Sequence, residues 1–338
     1  MNKDYKALIP VGHIHVRESI LDKGNVVGVN KDRAKWARRM DLPKEAEYTF
    51  FAGCGYQLMK YIDAMMGIAD KMEWMGMATD RLIGMSKTFK KAGIDVVDIS
   101  AKFTAATRSD PYTKALKSAI NVLRKLGVDI GYLHEDEPCC GSPLYYDGFL
   151  DDYIDLAKKN NEKFKSLGVK KIIGMVPACT SSLRNVYHQY IPDYDLEVYY
   201  LLEVLAWKLR ELNIKPKLKQ KLTITYHEPC QQSRYLKMID EPRAIIDAIE
   251  GLELREPGYE RSGQWSTCCG GGGLEVCGPE LSERLGRRRM EELLATKAEV
   301  IVTSCPACFM QLKNTADKMR VGVKVMDLVE VLEEALSD

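Results

Sequence analysis

The chain reads as an α/β protein made of two halves related by a pseudo-twofold, each with a mainly parallel sheet, preceded by an N-terminal arm. Three observations predict this. Strand-like and helix-like segments alternate along most of the 338 residues, which is the pattern of parallel strands joined by crossover helices. One order of features also occurs twice: a strand ending in a cysteine, a Cys-Cys-Gly, a strand followed by Pro-x-Cys, and a strand running into a helix. Finally, apolar residues make up 46% of the chain, enough for two cores at ordinary domain size.

Taken in order, residues 1–45 form the arm, in which KDRAKWARRM (31–40) is a short basic helix candidate with a solvated Lys/Arg face. EYTFFAGC (47–54) is a strand ending at Cys54. A helix-like stretch follows from Tyr56 to about Lys91, rich in methionine (Met59, Met65, Met66, Met72, Met75, Met77, Met85). Methionine is an adaptable filler, so these side chains are read as core or subunit packing ahead of a substrate-facing role. GIDVVDIS (93–100) is a strand and 111–126 a helix. GYLHEDEPCCG (131–141) carries Cys139, Cys140 and Gly141, 149–167 is a helix, and KKIIGMVPAC (170–179) is a buried strand ending at Cys179. EVYYLLEVLAWKLREL (197–212) is strand then helix. KPKLKQK (215–221), polar and charged with a proline, is taken as a solvated bridge and the boundary between halves 46–214 and 215–338.

The second half repeats the plan. LTITYHEPC (222–230) is a strand ending at Cys230, and Asp240-Glu241-Pro242 starts a helix whose apolar face is Ile245, Ile246 and Ile249. LELREP is a short strand, CCGGGG follows, and a helix runs from about Glu280 to Lys297. AEVIVTS is a strand, CPAC (305–308) opens another helix, and VKVMDLVEVLEEAL (323–336) matches EVYYLLEVLAWKL (197–209) in pattern. In parallel sheets of this kind ligands sit at the carboxyl ends of the strands. Cys54, Cys179, Cys230 and Cys305 all fall there.

Bulk properties narrow the function. The formal net charge is +1 with 29% charged residues, so a strongly basic nucleic-acid binder is not indicated. No apolar run reaches the roughly 18–20 residues that span a bilayer, and the N-terminus lacks a long apolar core with a small-residue cleavage site. Ten cysteines are too sparse for a disulfide-stapled secreted domain, and their clustering points to metal or redox chemistry. A reducing cytoplasm is the expected location, with any membrane association made through partner subunits.

Cys230, Cys268, Cys269, Cys305 and Cys308 are the group that carries chemistry. Thiolates are soft ligands for iron or zinc. Adjacent cysteines diverge and suit a cluster better than one tetrahedral ion, and glycines after the pair let backbone N–H groups approach sulfur. Five thiolates exceed the four of a closed zinc site and the four of an ordinary [4Fe–4S] cube. An expanded or open cluster follows from that count.

The spacing C-x37-CCG-x34-C-x2-C formed by these five cysteines resembles the Cys-Cys-Gly (CCG) domain family, and both halves fit the pattern. Its members include the catalytic subunits of heterodisulfide reductases and relatives in sulfur metabolism. The resemblance implies a non-cubane [4Fe–4S] cluster on each complete motif and an active site where the halves meet. KDRAKWARRM also looks like the stretch after a ferredoxin domain in fused members. No ferredoxin spacing precedes it here, so by resemblance the feeding [4Fe–4S] clusters sit on a separate ferredoxin-like subunit, with a flavin subunit as a further partner.

The first half departs from the pattern. It has Cys54, Cys139, Cys140 and Cys179, but Val176 stands where the fifth thiolate belongs. An ordinary or site-open [4Fe–4S] cluster, an altered non-cubane cluster and no cluster all remain open, with the four-ligand cluster ranked first. His227 and His134 each precede a cluster cysteine. An imidazole can protonate a leaving thiolate or simply hold its loop, and His227 is the candidate catalytic residue. Glu228 and Glu137 are read as local structural contacts, Cys277 as an inert thiol, Arg287-Arg288-Arg289 as a solvated or docking face, and His13, His15 and His188 as surface or packing residues.

Three functions fit. The first is the iron–sulfur catalytic subunit of a heterodisulfide-reductase-like complex, a disulfide/thiol oxidoreductase acting on a small or protein-bound thiol, disulfide or other organic sulfur species at the Cys230 group. The second is an electron-transfer subunit, because CCG proteins also resemble iron–sulfur subunits of 2-hydroxyacid and glycerol-3-phosphate oxidising systems. The third is a zinc-bearing structural protein, which the excess of thiolates disfavours.

Overall fold

The computed structural model describes residues 9–28, 34–74 and 110–337. The strand expected at 93–100 and the methionines from Met75 onward lie outside the described residues. Two four-stranded sheets form, with strand orders β2-β1-β3-β4 and β6-β5-β7-β8. The first contains β1 (Tyr48–Phe51), β2 (Ile130–Tyr132), β3 (Lys171–Gly174) and β4 (Glu197–Tyr200). The second contains β5 (Lys217–Tyr226), β6 (Glu250–Leu254), β7 (Val300–Thr303) and β8 (Lys324–Asp327). All pairings are parallel, and the two orders are the same in chain sequence, as a duplicated plan requires. The central strands YTFF and VIVT are buried at every position, which explains why they are mostly apolar rather than alternating.

The helices begin where local chemistry allows. The helix Pro111–Lys125 has Pro at its first turn, and the Asp110 carboxylate accepts from the Thr113 N–H. Asp327 likewise caps the last helix, Leu328–Ala335, by accepting from the Val329 N–H. Helix Leu150–Ser166, helix Leu201–Glu211, helix Pro279–Leu294 and helix Pro306–Met319 fall close to their expected spans.

Three expectations need correction. The segment 215–221 is not a loose bridge, because β5 begins at Lys217. Lys217 and Lys219 are exposed either side of a buried Leu218, a strand alternation that breaks at the exposed Gln220 where the register shifts and that the lysine-rich composition hid. In the arm, a helix spans Val11–Lys23, where no apolar periodicity announced one. Of the basic stretch 31–40, the described residues 34–40 form a single 3-10 turn, Lys35–Ala37, and they are partly core: Trp36 packs on Tyr132 at 5.0 Å and donates to its hydroxyl at 3.3 Å.

The halves meet through residues near the carboxyl ends of their strands and through helices packed across the seam. The Tyr56 hydroxyl donates a short bond to Asp327, and Tyr200 donates to the Ser304 carbonyl at 3.0 Å. Tyr146 donates to Gln231 at 3.0 Å, and a Cβ on Gly55 would lie 2.7 Å from Pro306 Cγ. Ser118 and Asn121 both donate to Glu333, at 2.5 and 2.6 Å. The cysteine-bearing edges of the two sheets therefore face each other across a packed, partly polar seam.

Asp327 in that seam gives a pH signature. Burial pushes its carboxyl up to about 7, against the bonds from Tyr56 and Val329 that lower it. The native state thus keeps a proton that the unfolded chain releases near an ordinary carboxylate value of about 3.9. Stability from this group is full below about pH 4 and is lost as pH rises through about 7. Asp327→Asn keeps an oxygen to accept from the Val329 N–H, presents an NH2 donor to the Tyr56 oxygen in place of the second acceptor, and cannot ionise. Urea unfolding is expected to show wild type losing about 3 kcal/mol more than the variant between about pH 5 and pH 8; parallel pH profiles would remove the assignment.

Candidate metal centre

The five thiols of the second half arrive from three loops at one sheet edge. Cys230 follows β5, Cys268 and Cys269 sit in the loop before helix Pro279–Leu294, and Cys305 and Cys308 flank the start of helix Pro306–Met319. Among the ten cysteines none is in a disulfide. Cys269 Sγ and Cys308 Sγ are 3.3 Å apart, and Cys230 bonds Cys268, Cys268 bonds Cys269, and Cys305 bonds Cys308. Cys269, Cys305 and Cys308 are buried, while Cys230 and Cys268 are half-buried and mark the side open to outside molecules.

The sulfurs share protons unequally. Hydrogen bonds from Cys230 and then Cys269, with the Gly270 N–H, pull Cys268 far below the usual thiol range. Cys308 and neighbouring N–H groups lower Cys305. Cys230 is pushed up, first by its bond to Cys268 and then by burial. Cys269 and Cys308 are raised by their own neighbours and by burial. Five converging thiols, with Cys268 and Cys305 shifted toward the thiolate, form a soft donor set suited to a thiophilic metal.

The glycine run closes the centre. Gly270 has φ +84°, and a Cβ there would collide with the Ser282 carbonyl oxygen; a Cβ on Gly271 would lie 2.9 Å from the Ala307 oxygen. With no side chains in the way, the Gly270 N–H reaches Cys268 Sγ at 3.4 Å and the Gly271 N–H reaches Cys269 Sγ at 3.3 Å. Backbone donors aimed at sulfur are what a cluster-binding loop needs. Five donors, a glycine cradle and amide N–H groups on sulfur fit an iron–sulfur group.

The four cysteines of the first half also converge. Cys139 contacts Cys140 and Cys54, and Cys140 contacts Cys179, all in buried surroundings. Val176 occupies the fifth place, at 6% exposure, with its Cγ2 2.8 Å from where a Gly53 Cβ would stand. Cys139 is pushed up to about 12, first by Cys140 and further by burial. Cys140, against a lowering bond from Cys139, is raised by Cys179 and burial. Burial also raises Cys179, against a lowering bond from Cys140. None of these three is lowered as Cys268 and Cys305 are.

His227 is fully buried at 1% exposure. One of its ring nitrogens and the sulfurs of Cys269 and Cys308 lie within 4.8 Å of one another. Burial, then the Arg289 cation, lowers its pKa well below the ordinary imidazole value. His134 is elsewhere: a ring nitrogen lies 3.0 Å from the Leu42 carbonyl and its ring packs on Tyr132. Glu137 does hold a loop, accepting from the N–H groups of Ala52 and Gly53 at 2.7 and 3.0 Å. Glu228 accepts from Arg243 and from the Gly263 N–H at 2.5 and 2.9 Å. Cys277 is half-buried on the turn Leu274–Cys277, with burial raising it to about 11.

The arginine triplet is a correction. Arg287 pairs with Glu283 at the surface, but Arg289 is 0% exposed and lies beside His227, so the triplet is not one solvated face. The sequence offered no signal for this beyond helical periodicity, which turns the third arginine inward. An open cavity of about 620 Å3 beside the Cys268 loop, lined by Ser233, Arg234, Lys237, Ile239, Gln264 and Trp265, has no signature in the sequence either.

Comparison with known proteins agrees with this arrangement. Residues 104–184 and 224–313, just over half of the chain, match the cysteine-rich domain family CCG. The chain is 34% identical over 221 residues to a subunit of the fumarate reductase (CoM/CoB) of Methanothermobacter marburgensis, covering 65% of this chain and 42% of that protein. It is 30% identical over 239 residues to a subunit of the dihydromethanophenazine:CoB–CoM heterodisulfide reductase of Methanosarcina barkeri, covering 69% and 58%. The EtfAB:quinone oxidoreductase of Syntrophomonas wolfei is 32% identical over 242 residues, covering 69% and 33%. The chain thus spans between a third and three fifths of the length of these relatives. No helix among the described residues is long and apolar enough to cross a membrane. With two parallel sheets, two converging cysteine groups and a family match over both, this chain belongs to the CCG cysteine-rich domain family.

Proposed function

We propose that the chain is an iron–sulfur subunit of an oxidoreductase complex. Its second half interconverts a disulfide and two thiols, or a bound organic sulfur species, at a non-cubane [4Fe–4S] centre held by Cys230, Cys268, Cys269, Cys305 and Cys308. The observation that carries this is the meeting of five unbridged thiols under a glycine loop that tolerates no side chain at Gly270. When bound, such a centre supplies single electrons and an iron accessible to outside sulfur.

The residues of the chain do the rest. Cys230 and Cys268, the least buried of the five, face the approach of substrate. Arg234 and Lys237 in the adjoining cavity favour an anionic sulfur compound, and Trp265 offers an apolar surface. Cleavage of one S–S bond takes two electrons and two protons and yields two thiols. The electrons come one at a time from a partner subunit of ferredoxin or flavin type, and water on the Cys230 side supplies the protons. The relatives named for heterodisulfide and CoM/CoB chemistry support this reading. The likeness to a quinone oxidoreductase supports a second one, in which the same centre only relays electrons. Anaerobic EPR separates them: a signal altered by added thiol or disulfide is the outcome of the first reading, and an indifferent signal that of the second.

The first half is proposed to hold at most a four-thiolate centre, for want of a fifth donor at Val176. Cysteine is smaller than valine and fits that buried position. In protein already carrying Cys268→Ser, adding Val176→Cys is expected to restore a non-cubane Mössbauer signature. No restoration would mean that the fifth thiol is not what distinguishes the halves.

A further inference from the structure

We infer that His227 is neither an iron ligand nor a proton shuttle, but a fixed hydrogen-bond donor to a sulfur of the centre, with its tautomer set by Arg289. The inference rests on the iron–sulfur reading above and assigns a role that reading leaves open.

Arg289 Nε donates to His227 Nδ1 at 3.0 Å. A guanidinium is always protonated and has no acceptor, so Nδ1 must present its lone pair. The single ring proton of the neutral imidazole is then on Nε2. That atom is buried and has no hydrogen-bond partner among the described residues. It is the one ring nitrogen left to face the sulfurs of Cys269 and Cys308, which lie within 4.8 Å. A buried N–H without an acceptor is unfavourable, and a cluster sulfide or thiolate is the acceptor that this chemistry calls for.

The geometry is the inverse of a metal-binding histidine. A ligating imidazole donates its second N–H to a carboxylate or carbonyl, which leaves the other nitrogen free to bind metal. Here the second nitrogen accepts, so metal binding through Nε2 would require the imidazole to lose its only proton. Proton delivery is blocked as well, because an imidazolium would aim an N–H at the Arg289 N–H.

Arg289 is itself held rigidly. It donates to the Arg261 carbonyl at 2.8 Å and to Glu292 at 3.1 Å, and its other terminal nitrogen is 3.7 Å from Glu228. An exposure of 0% makes this an expensive way to cover a helix, and what it secures is the orientation of one imidazole. The first half supports the assignment independently. Three residues before Cys54, where His227 precedes Cys230, stands Phe51, fully buried and unable to donate. At the corresponding positions, Phe51 and Val176, the first half has neither the donor nor the fifth thiol.

A donor to cluster sulfur stabilises the reduced, more negative state. His227→Phe, which copies the first half, is expected to retain the iron and sulfide of the wild type. It should make reduction of the second-half centre about tenfold less favourable, a fall in midpoint of about 59 mV for a one-electron couple. In wild type with 15N-histidine, pulsed EPR is expected to show only weak nitrogen coupling. An unchanged midpoint in a fully loaded variant overturns the inference, and so does a strong coupling from a directly bonded nitrogen. Should the variant fail to load, the coupling in wild type decides alone. A wild type without iron would sink the iron–sulfur reading and this inference together, which a loaded protein with no shift would not.

Discussion

Cys268→Ser is expected to empty the second-half centre and to cut any disulfide turnover by about a thousandfold or more, close to 4 kcal/mol of transition-state stabilisation. Cys268 lies between Cys230 and Cys269, and hydrogen bonds from both draw it below the usual thiol range. A serine hydroxyl is far less acidic and is a hard, poor ligand where iron wants thiolate. Its loss also takes away the sulfur that the Gly270 N–H approaches. Cys277→Ser is the matched control: that thiol lies outside the converging set and is expected to change neither iron content nor turnover. Equal losses in both variants would mean that general destabilisation, rather than ligation, explains the effect.

Gly270→Ala is expected to be strongly destabilising, at about 2–5 kcal/mol. Part of this is backbone strain, since φ is +84° and an L-residue there costs roughly 1–2 kcal/mol. The remainder is overpacking of about 1–3 kcal/mol, because the Cβ would drive into the carbonyl of Ser282, a residue whose hydroxyl donates to the Gly270 oxygen at 2.8 Å. The helix Pro279–Leu294 must then move away from the cysteine loop. Gly272→Ala has a similar φ of +83° but open space around it, so it should show only the strain. Urea midpoints and iron content measured on both variants check this; identical costs would show that the loop does not press on the helix as described.

The plan of the fold was readable because two periodic signals agreed. Strands such as YTFF and VIVT are mostly apolar, and Cys54, Cys179, Cys230 and Cys305 mark strand ends, so the duplicated plan of parallel strands and helices was legible, whereas the short strand Ile130–Tyr132 and the strand order were not. What escaped notice had weak local signals. The helix Val11–Lys23 has almost no amphipathic character, with only Gly12, Ser19 and Ile20 buried. The lysine-rich start of β5 looked like solvent-facing linker because its outward side is all that composition reports.

The candidate site was readable at the level of its sulfurs and not at the level of their support. Cys-Cys-Gly and CPAC are contiguous motifs, so spacing exposes them. The Arg289–His227 bond joins residues 62 apart in the chain, and nothing in RRR distinguishes its third member until the helix is placed against the sheet. The same holds for Tyr56 and Asp327, whose pairing across the seam belongs to tertiary packing alone.

The most direct test of the central claim is metal and acid-labile sulfide analysis of protein purified without oxygen, with Mössbauer spectra taken before and after Cys268→Ser. The account predicts iron and sulfide in equal amounts, with a non-cubane component that vanishes in the variant. Zinc in place of iron, or disulfides among Cys230, Cys268, Cys269, Cys305 and Cys308, would contradict it.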